Sequence, residues 1–111
     1  MKVTIEQRGL TGNVSTLAVK GEIDIYTAPS LKEKLLPLTE KKGANVTLDL
    51  SGTSYIDSTA LGVIVGALKS AEEHQCTFHV EGLTPRVERL FKITGLMDIL
   101  KNKKLAEGDN Q

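Results

Sequence analysis

The sequence predicts an α/β domain of two layers, a four-stranded mixed sheet with helices mainly on one face, in the order β-β-α-β-α-β-α-α. Four segments alternate apolar and polar residues with period two, as half-buried strands do. The segments between the later strands carry apolar residues at helical spacing instead. Only the short Gly12–Asn13 turn region separates the first two strands, which makes them antiparallel neighbours, whereas the helices between the later strands make those parallel crossovers. Strands covered on both faces would read as continuous apolar runs, so the alternation places helices on one side and solvent on the other and argues against a Rossmann-like sheet.

The strands are carried by Val3 and Ile5 against Thr4 and Glu6, then Leu17 and Val19 against Ala18 and Lys20. Val46, Leu48 and Leu50 against Thr47 and Asp49 give the third, and Phe78 and Val80 against Thr77 and His79 the fourth. The first helix is expected to be capped by Thr27, with Pro29 in its first turn and Leu31, Leu35 and Leu38 on one stripe. Pro37 lacks a backbone donor and should kink or end it, after which Gly43 and Asn45 turn the chain. The second helix, from about Ser58 to about Gln75, sets Leu61, Ile64, Val65, Leu68 and Ala71 toward the sheet. Thr84-Pro85 opens a third helix with Val87, Leu90 and Phe91 inward. Gly95 stops it, and Leu96, Ile99 and Leu100 form a short final amphipathic piece. Residues 1–101 then make one domain, and 102–111, which lose apolar periodicity, a flexible tail.

Composition narrows the function. The chain has 111 residues, enough for one core. Fourteen Lys and Arg balance fourteen Asp and Glu, which removes the global field that would draw in nucleic acid or an anionic membrane. Four aromatic residues, Tyr26, Tyr55, Phe78 and Phe91, leave few rings for stacking bases. The single Cys76 cannot pair within the chain and points to a reducing compartment. No secretory signal and no long apolar run is visible, so a cytoplasmic location is the expectation.

The most informative stretch is Ser51-Gly-Thr-Ser-Tyr-Ile-Asp-Ser-Thr-Ala-Leu-Gly62, which joins the third strand to the most regular helix. It puts the Ser58 hydroxyl, with Thr59 as second choice, at a helix start, where unpaired N–H groups and the macrodipole favour negative charge. A phosphate on Ser58 would add about 1.5 to 2 negative charges beside Asp57 without unfolding anything. On composition alone the ordinary role of Asp57, Ser58 or Thr59 is to cap the helix. Two features raise the functional reading. Thr59, Gly62, Val63, Gly66 and Ser70 fall on the flank or back of that helix, and glycines there cost about 1 kcal/mol each relative to alanine, so something is expected to approach the backbone closely, a partner or the neighbouring helix. If the second and third strands are parallel neighbours, Asp24 in the preceding loop shares a surface with Ser58, although it could equally punctuate a helix start.

The stretches GEIDIYTAPSLKEKLLPL, LDLSGTSYIDSTALGVIVGALK and RLFKITGLMDIL resemble the bacterial anti-sigma factor antagonists built on the STAS domain, especially the general-stress-response type. The resemblance runs from about Val3 to about Leu100, with Ala60 where the family usually has glycine. It implies a SpoIIAA-like STAS fold and a switch that is not an enzyme and uses no cofactor or metal. By that resemblance an anti-sigma factor serine/threonine kinase phosphorylates Ser58, the unphosphorylated form binds this kinase and frees its sigma factor, and a metal-dependent serine/threonine phosphatase resets the switch. The partner-binding residues would be Asp24, Asp57, Ser58, Thr59, Gly62, Val63 and Gly66.

Competing readings fare less well. Ser58 lacks the Gly-x-Ser-x-Gly elbow of a hydrolase, and His74 and His79 lie at the far end of the following helix and on the next strand. His74, Cys76 and His79 match no structural zinc spacing, and His79 is expected to point outward. A carrier or phosphoacceptor protein modified at Ser58 in another pathway is the alternative, but carriers with Asp-Ser at a helix start are acidic and all-helical. A receiver domain with Asp49 or Asp57 as phosphoacceptor would need an acidic pair after the first strand, which is missing.

Overall fold

Each alternating segment forms a strand. In a computed structural model, which describes residues 3–11 and 13–98, β1 (Val3–Thr11) and β2 (Val14–Ile23) pair antiparallel. The strands β3 (Asn45–Ile56) and β4 (Thr77–Glu81) add parallel, in the order β1-β2-β3-β4. Helix α1 (Ala28–Thr39) links β2 to β3, α2 (Ser58–Glu73) links β3 to β4, and α3 (Pro85–Ile93) follows. Residues 96–98 are helical again, so the element order agrees with the expected one as far as the described residues reach. Gly12, Ile99, Leu100 and the tail at 102–111 lie outside them.

One aliphatic core joins sheet and helices. Leu17, Val19, Val46, Leu48 and Leu50 from the strands meet Leu31 and Leu35 of α1, Ile64 of α2, and Val87 and Phe91 of α3, all fully buried. Val46 lies opposite Phe78, so the cross-strand pair continues the apolar face to the edge strand. Cys76 is buried, and burial pushes its thiol above the usual range, leaving it a small apolar filler.

Several local details refine the expectation. The Thr27 side chain makes no capping hydrogen bond at α1. Helix α1 runs through Pro37 to Thr39, because a proline in the last turn removes one bond without stopping the two residues that follow. Helix α2 ends at Glu73, where His74 forms the C-cap and Gln75 takes a positive φ of 58°. Its buried stripe is Ala60, Leu61, Ile64, Ala67, Leu68 and Ala71, with Val65 only half-buried, since the stripe must also face α1. On the outer sheet face Ala18 is buried, in register between Glu6 and Asp49, while His79, opposite Thr47 and alternating with buried Phe78, is half-buried on that same outer face, as expected.

The register of β3 is what builds the site. Ala18 lies opposite Asp49, Lys20 opposite Gly52 and Glu22 opposite Tyr55, so β3 takes two extra residues against β2. The buried positions of β3 follow that irregular spacing, and Thr53 at the bulge is buried with its hydroxyl donating to the Val19 carbonyl at 2.9 Å. The two insertions bring Ile56 opposite Ile23. On the other side of the bulge Gly82 has φ +72°, and a Cβ there would stand 2.7 Å from Asp49 Oδ1 and 2.9 Å from the Ser51 Cβ. Only glycine fits both that backbone and that approach.

Candidate functional site

Parallel pairing of β2 and β3 makes their following loops emerge at one sheet end. The Asp57 amide donates to the Ile23 carbonyl at 3.1 Å, so the α2 start and the Asp24 loop are directly tied. Asp57 occupies the N-cap with extended backbone, and its Oδ1 accepts from the Ala60 amide at 3.0 Å. The capping role therefore belongs to Asp57 alone. Ser58 and Thr59, the first two helical residues, are exposed, and no described group hydrogen-bonds the Ser58 hydroxyl. Ala60 is fully buried, so its methyl joins the core instead of the surface.

Asp24 is brought to this corner, but not as a surface contact. It is 6% exposed, and its Oδ1 accepts from the Tyr26 amide at 2.9 Å and the Thr27 amide at 3.1 Å. The Thr27 hydroxyl accepts from the Asp24 amide at 2.9 Å, donates to the Glu22 carbonyl at 2.8 Å and stands 3.2 Å from Asp24 Oδ1. Asp24 thus folds back on its own loop and starts α1, its carbonyl also accepting from the Ala28 amide at 2.7 Å. The Asp24 carboxylate therefore faces its own loop, and its direct structural task is to hold that loop's backbone. What the loop does expose is Ile25 and Tyr26, at 60% and 80%, while on β3 the partly exposed Tyr55 lies opposite Glu22. Sequence reasoning passed over these two; the available signal was an Asp-x-x-Thr turn, which fixes the backbone of the residues it carries outward.

Burial pushes the Asp24 carboxyl up, but the Tyr26 and Thr27 amides and the Thr27 hydroxyl outweigh it, holding the group below the usual aspartate range. At Asp49 the amide and hydroxyl of Ser51 do the same against burial, with Arg8 adding attraction. A carboxyl whose folded value is depressed contributes stability above its unfolded value, and that stability is lost as pH falls through the folded one. The melting temperature should therefore be flat from neutral pH to about 5 and fall below about 4. In Asp24→Asn, which keeps the acceptor oxygen without its charge, the fall should be shallower, as thermal melts by circular dichroism across that range will show.

Along α2, Gly62 is exposed and Gly66 half-buried, and a Cβ built on either meets nothing within 4 Å. The neighbouring helix is thus not what these glycines accommodate; α1 touches α2 further along, where Thr39 and Ser70 hydroxyls are 3.1 Å apart. With half-buried Val63 they leave a low, nearly featureless strip leading away from Ser58. Gly62→Ala and Gly66→Ala should each stabilise the free chain by about 0.5–1 kcal/mol, measured by urea denaturation, since the space is open and the helix gains. A loss of stability would mean that the strip is packed.

His74 Nδ1 donates to the Ser70 carbonyl at 2.7 Å, far along α2 from Ser58. Among the described residues no three His, Cys, Asp or Glu side chains gather as a metal site, and no helix is long and apolar enough to cross a membrane.

The likeness to known proteins agrees with this architecture. Residues 5–108 match the STAS domain family. The anti-sigma-B factor antagonist of Listeria monocytogenes is 44% identical over 109 residues, covering 98% of this chain and 95% of the relative. The crystal structure of an anti-sigma factor antagonist from Mycobacterium paratuberculosis superposes with a TM-score of 0.78 at 24% identity, covering 89% and 83% of the two chains. The phosphorylated form of the Bacillus cell fate determinant SpoIIAA shares the fold with a TM-score of 0.65 at 15% identity and 86% coverage of each. A four-stranded sheet is also incompatible with an all-helical carrier.

Proposed function

The chain belongs to the STAS-domain family of anti-sigma factor antagonists, and from that premise we propose that it works by partner switching through a single hydroxyl, Ser58. Unphosphorylated, it binds an anti-sigma factor serine/threonine kinase and so releases a sigma factor in the cytoplasm. Phosphorylated by that kinase on Ser58, it lets go, and a metal-dependent serine/threonine phosphatase restores it. Thr59 is the second candidate acceptor.

One observation supports this reading above the others. Asp57 supplies the cap through Ala60, which leaves the Ser58 hydroxyl exposed at the positive end of α2 with no structural task. A residue so placed can be modified without disturbing the fold, and the low strip of Gly62, Val63 and Gly66 lets a partner approach the helix backbone beside it. Asp57, Ser58 and Thr59 complete the contact surface, and Asp24 serves it by shaping the adjoining loop. A phosphorylated form of SpoIIAA, which shares the fold, is consistent with a phosphate on such a scaffold.

Intact mass after incubation with the anti-sigma factor kinase and ATP tests the reading. A gain of one acid-stable phosphate, absent in Ser58→Ala, supports it; phosphate that persists in Ser58→Ala moves the acceptor to Thr59. A chain of unaltered mass that still holds a partner would be a plain interaction module.

A further inference from the structure

A second feature of the same sheet end is not explained by the Ser58 hydroxyl. The large apolar side chains exposed among the described residues are Val14, Ile25, Tyr26, Tyr55 and Ile93. Three of these five stand at the carboxyl end of β2 and β3, around the α2 start. Tyr26 is 80% exposed, so its ring contributes nothing to the core. Its backbone is nonetheless fixed, because the Tyr26 amide donates to Asp24 Oδ1 and the Thr27 hydroxyl ties the loop to Glu22. A ring held out on a rigid turn loses little freedom when a partner covers it. Ile23 pairs with Ile56, and the Asp57 amide donates to the Ile23 carbonyl at 3.1 Å, so the loop that carries Tyr26 and the turn that carries Ser58 leave the same sheet end from adjacent strands.

Resting on the partner-switching reading, we infer that Tyr26, seconded by Ile25, is the apolar anchor by which the anti-sigma factor kinase holds the unphosphorylated chain, filling an apolar pocket of that partner, and that the resetting phosphatase does not use it. A lasting complex needs a desolvated aromatic centre, which the small residues of the α2 strip cannot supply. A phosphatase recognises a dianion through charge-assisted bonds and must release its product, so it has no need of that anchor.

The test measures Kd for the purified kinase with wild type, Tyr26→Ala, Tyr26→Phe and Val14→Ala, the last altering an exposed apolar residue at the opposite sheet end. Tyr26→Ala should weaken binding about thirtyfold or more, Tyr26→Phe by no more than about threefold, and Val14→Ala not at all. Each variant, phosphorylated with excess kinase, should be dephosphorylated with kcat/KM within about threefold of wild type. Tyr26→Ala that binds as tightly as wild type, or that slows the phosphatase as much as it weakens the kinase, overturns the inference. If wild type is phosphorylated on Ser58 and only the Tyr26 result fails, the switch stands without this anchor. If the kinase neither binds nor modifies wild type, both fall together.

Discussion

Ser58→Asp should abolish binding to the anti-sigma factor kinase, while Ser58→Ala should bind and never accept phosphate. The direction follows from desolvation. The Ser58 side chain is small, uncharged and exposed, and an ionised group placed there, next to the Asp57 carboxylate, must shed its water to enter the same contact. A loss of about 3 to 4 kcal/mol of binding corresponds to several hundredfold in affinity. Neither substitution should disturb the fold, because Asp57 and not Ser58 bonds the Ala60 amide. Negative charge at the first helical position even favours the helix, by about 0.3–1 kcal/mol. The melting temperature of the Ser58→Asp chain should therefore equal or exceed that of wild type while its titration with the kinase shows no saturation. A Ser58→Asp chain that melts early and binds weakly would point to unfolding rather than to switching.

Phe91→Ala should cost about 3–5 kcal/mol, a large share of the stability of a domain this size. Phe91 is the largest fully buried side chain and, with Val87, seats α3 on the common core. The space is not easily closed, because the rest of the core, mostly aliphatic with Phe78, is already packed into one cluster with it. Ile93, on the same helix but 73% exposed, provides the contrast, and Ile93→Ala should stay within about 0.5 kcal/mol. Urea denaturation of both variants reads the difference as a shift of midpoint at unchanged slope. A small effect at Phe91 would mean that α3 docks only loosely and contributes little to the cooperative unit.

Much of the architecture was legible in residue order. Period-two alternation located four strands, and helical spacing located the helices, because burial on one face leaves its period in the chain whatever the partner element is. Thr84-Pro85 opened α3 as expected, the Thr84 hydroxyl accepting from the Val87 amide at 3.4 Å. The Asp-Ser-Thr stretch likewise marked a helix start correctly, and the chemistry of such a start pointed to Ser58.

The tertiary structure alone decided what each of those residues is free to do. From sequence, Asp57, Ser58 and Thr59 were equal candidates for the cap; only the backbone path assigned it to Asp57 and left Ser58 exposed. Asp24 could turn outward or back on its own amides, and the turn closed by Thr27 buries it while carrying Tyr26 into solvent. The glycines of α2 could have admitted α1 or an external partner, and the position of α1 leaves the space above them open. Strand and helix periods are local properties written in neighbouring residues. Register, the two insertions in β3 and the side on which α1 packs arise from contacts between residues far apart in the chain, which no local period records.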